Sequence, residues 1–310
     1  MTRSPWPLWS LSLALACGRS SAPPAYLAPA QLGDGSDDGS SSSSGVPEPD
    51  LPQDDAPCRR VDLLFVVDNS HSMADEQANL VASFPGFIDG IESILGASTD
   101  YHVGVITTDA NEHNGLGCRT LGALTTRTSG EHSSEDVCGP YAEGGSYMSP
   151  RDQLADTFAC AAQVGVEGSG YEQPMDAMIA TLEERSAKLR LCNDGFLRDG
   201  ALLVLTLITD EEDDGGSIGD PALWYEQVLG ERDPSAVVVL SLVGHPKPNA
   251  CIPAQWTGMD GAELAPRLIE FTEMFEYGRV GDVCAPEYGT FFADALSGIA
   301  EACHVVIPPA

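Results

Sequence analysis

Three oxygen-bearing side chains stand at alternate positions directly after a short apolar segment. They are Asp68, Ser70 and Ser72, and six of the seven residues at 61–67 before them are apolar. Such a run predicts a strand buried on both faces of a parallel sheet. A carboxylate and two hydroxyls just past the carboxyl end of a strand can converge on a small, hard cation such as Mg²⁺. The same side chains could instead only cap backbone amides of a turn.

A second buried segment also ends on acidic residues. Residues 201–209 are apolar apart from two threonines, and Asp210 and four further acidic residues follow them. In open parallel sheets, ligands bind outside the carboxyl ends of the strands, where the strand order reverses. Asp68 and Asp210 both hold such positions and are therefore candidates for one site.

Strand and helix patterns alternate through most of the chain. Strands are predicted at 61–67, 101–107, 201–209, 236–243 and 279–283, and helices at 74–95, 151–164, 174–189, 221–229, 261–277 and 291–303. The alternation predicts an α/β, Rossmann-like, doubly wound fold with a mostly parallel central sheet and helices on both faces. Pro85 and Gly86 are expected to kink or break the first helix. Residues 110–150 lack a clear period and are expected to form a long loop or hairpin.

The pattern Asp68-x-Ser70-x-Ser72 resembles the metal-ion-dependent adhesion site of von Willebrand factor type A (VWA) domains. The resemblance covers residues 58–304 and implies the VWA fold, stapled by disulfides. It also implies that a third segment contributes an oxygen ligand and that a fourth contributes an aspartate after a buried strand. Asp210 matches the fourth segment.

The third segment is where this chain departs from the family pattern. VWA domains tend to have Gly-x-Thr a few residues before an Ala-Leu in a helix, and this chain has Ala177-Met178 instead. Counting back without gaps puts Glu172 at the threonine position, whereas a small insertion puts Ser169 there. A glutamate would add charge, tighten cation binding and weaken the metal as an electrophile for an incoming carboxylate.

The resemblance implies a function in binding rather than in catalysis. The cofactor would be Mg²⁺, or else Mn²⁺ or Ca²⁺, and a carboxylate of a protein partner or ligand would displace a water from it. Two alternatives stay open, namely a structural domain without a functional metal and a phosphotransferase or hydrolase that uses Asp68 as a nucleophile. Catalysis lacks support from a lysine after a central strand, a Gly-x-Ser-x-Gly elbow or a His-Glu-x-x-His motif.

The acidic run at 210–215 fits the first half of an EF-hand loop. Pro221 stands at the twelfth position, where its side chain cannot coordinate, and the preceding segment is predicted as a strand. We therefore exclude an EF-hand. A separate Ca²⁺-type site that shares Asp213 or Asp214 stays open, against a merely solvated acidic rim.

The formal charge of the chain is −32. It argues against nucleic acid as a partner, because nucleic-acid surfaces are built from Lys and Arg. It also argues against electrostatic docking on anionic lipid. It favours divalent cations and basic partners.

The first residues predict an export signal at 1–16, in which a basic residue precedes a largely apolar run. Ala14-Leu15-Ala16 then precedes Cys17, which resembles a lipidated bacterial lipoprotein cysteine, although an ordinary signal peptidase would also accept these residues. A glycine after the cysteine resembles the sorting signal of Gram-negative lipoproteins that are sent to the outer membrane. The protein would then face the periplasm or the cell surface. Residues 17–57 are predicted as the lipidated cysteine with a disordered Ser/Gly/Pro/Asp-rich linker, and residues 305–310 as a tail.

Nine cysteines leave eight for disulfides once Cys17 is set aside for lipid. The sequence cannot choose among their pairings. Several VWA domains join their termini, and that resemblance implies one bridge between the ends of the domain. The predicted pairs are Cys58–Cys303, Cys118–Cys138, Cys160–Cys192 and Cys251–Cys284.

Overall fold

A computed structural model describes residues 60–96, 100–250 and 261–305. Five parallel strands form one sheet in the order β2-β1-β3-β4-β5. The strands are β1 Val61–Val67, β2 Tyr101–Thr107, β3 Leu202–Ile208, β4 Val237–Val243 and β5 Tyr277–Asp282. The helices are α1 Ala74–Leu95, α2 Leu154–Ala162, α3 Pro174–Glu183, α4 Ala187–Cys192, α5 Pro221–Leu229, α6 Pro266–Glu273 and α7 Gly289–Val305. The predicted Rossmann-like α/β fold is confirmed.

The two faces of the sheet carry separate apolar layers, because successive side chains of a strand point to opposite faces. On β1, Leu63 and Phe65 pack in a cluster with α1, α2 and α7, whereas Leu64 and Val66 pack in a second cluster with α3, α5 and α6. All four side chains are fully buried. This double burial explains why β1 is almost continuously apolar and why its polar residues begin only beyond Val67.

Helix α1 runs unbroken through Pro85, so the expected break does not occur. Phe84, Phe87 and Ile88, on both sides of the proline, are buried in the core. Packing of this face offsets the backbone hydrogen bond that the proline cannot make. The predicted helix at 174–189 is instead divided, because Glu184 adopts a left-handed conformation (φ 45°) that ends α3.

Two predicted disulfides are wrong. The structure pairs Cys118 with Cys192 and Cys138 with Cys160, rather than Cys118 with Cys138 and Cys160 with Cys192. The reason is that both cysteines of the long loop at 110–150 lie against neighbouring helices, where Cys118 meets Cys192 on α4 and Cys138 meets Cys160 on α2. Next to α2, for example, the Ser134 hydroxyl donates a 2.9 Å hydrogen bond to the carbonyl oxygen of Cys160.

Cys284 and Cys303 are both disulfide-bonded. Their predicted partners, Cys251 and Cys58, lie outside the described residues, so these two pairings stay predictions. The export signal, Cys17 and the linker at 1–57 lie outside the described residues as well, as do residues 306–310 of the tail. Within the described ranges, no helix has the length and apolar character needed to cross a membrane.

Candidate metal site

Three neighbouring strand ends bring polar residues together at one edge of the sheet. In the strand register, Val67 pairs with Thr107 on one side and with Ile208 on the other. The residues that follow, Asp68, Thr108 and Thr209, therefore lie next to one another. Strand order reverses at β1, because β2 lies on one side of it and β3 on the other. This is the edge at which doubly wound folds bind ligands.

Asp68 is fully buried at the centre of this edge. Its Oδ1 accepts a 2.6 Å hydrogen bond from the backbone N–H of Ser70, and its Oδ2 accepts a 2.5 Å hydrogen bond from the Thr209 hydroxyl. The Asp68 N–H donates to the carbonyl oxygen of Ile208 at 3.0 Å. The carboxylate is therefore oriented by both its own loop and β3.

The two serines of the loop lie close to each other and to the fourth segment. Their hydroxyl oxygens, on Ser70 and Ser72, are 3.4 Å apart. The Ser72 side chain also lies near the carboxylate of Asp210 and partly offsets the rise in its pKa that burial causes. Asp210 is 4% exposed, and its Oδ1 has no hydrogen-bond partner.

Glu172 and Ser169, the two candidates from the third segment, occupy different environments. Glu172 is 5% exposed and lies within the electrostatic influence of Asp68. Its Oε2 accepts a hydrogen bond from the Thr108 hydroxyl, and its Oε1 has no partner. Ser169 is exposed, and its backbone N–H donates to Asp109 at 2.9 Å. The structure thus brings Glu172, rather than Ser169, toward the buried carboxylates.

Burial and mutual repulsion shape the electrostatics of this group. Burial raises the pKa of Asp68 above its ordinary value, although hydrogen bonds from Thr209 and Ser70 oppose the shift. Burial, and then the charge of Asp68, raise the pKa values of Glu172 and Asp210. Clustered carboxylates of this kind gain stability from a nearby positive charge.

A buried amide fixes the main chain behind the loop. The side chain of Gln77, on the first turn of α1, donates 2.9 Å hydrogen bonds to the carbonyl oxygens of Asp68 and Gly165. It also accepts a 3.2 Å hydrogen bond from the Gly165 N–H. Gln77 therefore joins the end of β1 to the chain that leads into the third segment.

Both carboxylate oxygens of Asp213 accept hydrogen bonds from backbone amides. The residue is fully buried, its Oδ1 accepts from the Ser217 N–H at 2.8 Å, and its Oδ2 accepts from the Met175 N–H at 3.3 Å. These bonds tie the loop after β3 to the first turn of α3. Asp214 is exposed, and no described contact joins it to Asp213 in a second cation site.

The donor set fits a hard cation, with one condition. Oδ1 of Asp210 and Oε1 of Glu172 are carboxylate oxygens without partners on buried side chains, and the hydroxyls of Ser70 and Ser72 lie 3.4 Å apart in the loop after β1. Oxygen ligands of this type suit Mg²⁺, Mn²⁺ or Ca²⁺. In the part of the chain that the structure describes, no group of three or more His, Cys, Asp or Glu side chains could hold a metal ion. Asp68, Glu172 and Asp210 do not form such a group in this geometry. A cation at this edge would therefore need these carboxylates to move closer together, with hydroxyls and water completing its coordination shell.

Two buried residues of this edge were not predicted from the sequence. Thr108 contacts Glu172, and Gln77 supports Asp68. Thr108 follows a predicted strand, so the rule that singled out Asp68 and Asp210 could also have found it. Gln77 offered no signal, because a glutamine in the first turn of a helix is usually exposed.

Comparisons with known proteins leave the family open. No protein-family model matches the chain, and no curated protein matches it. Among solved structures, the chain is similar to proximal thread matrix protein 1 from the mussel byssus, with 11% sequence identity and a TM-score of 0.44. The match covers 78% of this chain and 48% of the mussel chain. A similarity this distant indicates nothing about function. The fold and the site define the class of this chain as a doubly wound α/β protein with oxygen-bearing side chains at one edge of its sheet.

Proposed function

We propose that this chain is a VWA-type protein that binds a divalent cation through Asp68, Ser70, Ser72, Glu172 and Asp210. The observation that carries the proposal is the pair of carboxylate oxygens without partners, Oδ1 of Asp210 and Oε1 of Glu172, on buried side chains near Asp68. Burial raises the pKa of both carboxyl groups, and a metal ion is one of the few groups that would stabilise their charged forms there.

The side chains of this chain have distinct parts in the proposal. Asp68 is held in place by the Thr209 hydroxyl and the Ser70 N–H, so it is oriented before any ligand arrives. Ser72 lies near Asp210 and favours the charged form of its carboxylate. When bound, the cation would supply a Lewis-acidic centre whose coordination shell a ligand from outside can complete.

The partner in this proposal is a protein or ligand that presents an Asp or Glu carboxylate. With lipid on Cys17, as the sequence predicts, the domain would be anchored at the outer membrane of a Gram-negative cell and would meet its partner in the periplasm or at the surface. The divalent cation would be Mg²⁺, or else Mn²⁺ or Ca²⁺.

A scaffold function without metal is the second candidate. The observation that favours it is that both oxygens of Asp68 already have hydrogen-bond partners within the protein. A carboxylate whose partners are all internal can stabilise the fold without a cation.

One titration separates the two functions. The purified protein is titrated with Mg²⁺, Mn²⁺ or Ca²⁺ by calorimetry, and its thermal unfolding is followed with each cation and with a chelator. Binding at a single site supports the proposal if Asp68→Ala removes it and Asp156→Ala, at an exposed position, does not. A cation at 100 times its Kd stabilises the folded state by about 2.7 kcal/mol. No response in a folded protein would support the scaffold instead.

A further inference from the structure

The end of strand β2 takes part in the candidate site through Thr108. This residue directly follows Thr107, which pairs with Val67 in the register of β1 and β2. Thr108 is therefore a neighbour of Asp68 at the edge of the sheet. It is fully buried, so its hydroxyl depends on protein groups or a bound ligand for its hydrogen bonds.

Thr108 contacts the third segment at two consecutive residues. Its hydroxyl donates to Oε2 of Glu172, and its carbonyl oxygen accepts a 3.0 Å hydrogen bond from the N–H of Gln173. The next residue, Asp109, accepts a 2.9 Å hydrogen bond from the N–H of Ser169. The turn after β2 therefore holds the main chain on both sides of Glu172.

The hydroxyl of Thr108 has one proton and two nearby acceptors. Oδ1 of Asn69 is 3.3 Å away, and Oε2 of Glu172 is closer. The amide of Asn69 has another partner, because its Nδ2 donates to Asp109 at 3.0 Å. The geometry and the charge of a carboxylate both favour donation to Glu172.

The hydrogen bond from Thr108 determines which carboxylate oxygen of Glu172 stays available to a ligand. The hydrogen bond from Thr108 occupies Oε2, whereas Oε1 is buried without a partner. We propose that Thr108 is a positioning residue of the cation site, which fixes the Glu172 carboxylate so that Oε1 is free to bind the ion. This inference rests on the proposed function. Residues that orient metal ligands typically contribute 10- to 100-fold to metal affinity.

The test compares isosteric and conservative variants of the full chain, with the metal alone as the probe. Thr108→Val keeps the shape of the side chain and removes the hydroxyl, whereas Thr108→Ser keeps the hydroxyl. Thr206→Val is the matched control, because Thr206 is also fully buried and its hydroxyl has no hydrogen-bond partner. Calorimetric titration with Mg²⁺ and with Ca²⁺ gives the Kd of each protein, and thermal unfolding in chelator shows that each is folded.

We expect Thr108→Val to raise the Kd about 10-fold or more, and Thr108→Ser and Thr206→Val to bind nearly as the wild type does. A purely structural effect would lower the melting temperature in chelator without this pattern in Kd. Thr108 acts through Glu172, so Thr108→Val should have little further effect on Kd in a Glu172→Gln background.

Two results would overturn the inference. The first is that Asp68→Ala abolishes cation binding while Thr108→Val binds with the Kd of the wild type. The proposed function would then stand, and the role of Thr108 would not. The other is unchanged binding by Glu172→Gln, which decides the matter even if Thr108→Val does not fold. A wild-type protein that binds no cation would instead refute the proposed function, and the inference with it.

Discussion

Thr209 and Asp68 are joined by a 2.5 Å hydrogen bond from the threonine hydroxyl to Oδ2 of the aspartate, across the ends of two neighbouring strands. The same hydroxyl accepts a 3.1 Å hydrogen bond from the N–H of Glu211. Thr209 therefore connects the buried carboxylate of Asp68 to the start of the acidic segment at 210–214. The pair makes the end of β3 a structural support for the loop that follows β1.

Removing this hydroxyl should destabilise the protein even without a cation. Thr209→Val leaves the fully buried Oδ2 of Asp68 without a donor, which costs about 1–3 kcal/mol. The free energy of unfolding from urea titration in chelator measures the loss. Thr206→Val is the matched control within β3, three residues before Thr209, because its hydroxyl has no partner to lose. Equal effects of the two substitutions would contradict this role of Thr209.

Glu76 should make the stability of the cation-free protein depend on pH. Burial, followed by hydrogen bonding to and the charge of Asp75, raises the pKa of Glu76 from 4.5 to about 9. The folded state thus keeps a proton that the unfolded state loses above its ordinary pKa. Stability therefore falls as the pH rises between about 4.5 and 9.

Glu76→Gln removes this titration and is expected to stabilise the protein by about 1–3 kcal/mol at pH 8, with little change at pH 4.5. Urea unfolding at the two pH values, in chelator, gives both free energies. Glu231→Gln is the control at an exposed glutamate. A gain that is the same at both pH values would show that burial of the Glu76 charge is not its cause.

Gly216 should tolerate no side chain, because the third segment lies directly against it. A Cβ added at this position would lie 1.6 Å from the carbonyl oxygen of Glu172, whereas a Cβ at Gly170 would meet nothing within 4 Å. We expect Gly216→Ala to lower the free energy of unfolding by about 1–3 kcal/mol, or more if the loops separate. It should also weaken any cation binding, because Glu172 must move.

Thermal unfolding and cation titration of Gly216→Ala and Gly170→Ala check this expectation. Gly170 lies two residues from Glu172 and is exposed, so Gly170→Ala controls for the change of backbone entropy on replacing a loop glycine by alanine. Similar behaviour of the two variants would mean that the close packing of Gly216 on Glu172 does not matter for stability.

The two disulfides of the long loop should contribute unequally. Cys118–Cys192 spans a sequence separation of 74 residues, and Cys138–Cys160 spans 22. In the chain-entropy description, these loops correspond to about 4.5 and about 3.4 kcal/mol. Replacing both cysteines of the longer bridge with alanine is therefore expected to cost about 1 kcal/mol more than replacing both of the shorter one.

Urea unfolding of the two double variants measures this difference. Peptide mapping without reduction checks the pairing itself and should recover a peptide of Cys118 linked to one of Cys192. Recovery of Cys118 linked to Cys138 would restore the pairing that the sequence suggested and contradict the packing of the loop on α4.

Several local features followed from the residues alone. The apolar run at 61–67 predicted β1 because a strand buried on both faces needs no polar alternation. Helix α5 begins at Pro221 and ends at Leu229, as predicted, because Asp220 caps its first turn and Gly230 follows its last. The break at Glu184 was missed because a glutamate with positive φ carries no signal in the sequence.

The sequence by itself determined the alternation of strands and helices, the parallel sheet and the polar residues that follow β1 and β3. These depend on short-range periodicity and on which residues can be buried, and both are properties of the sequence. Only the tertiary structure decided that Thr108 contacts Glu172, that Gln77 supports Asp68 and that Cys118 pairs with Cys192. Those contacts join residues 9 to 74 positions apart, and they depend on how loops pack on one another, which no local pattern encodes.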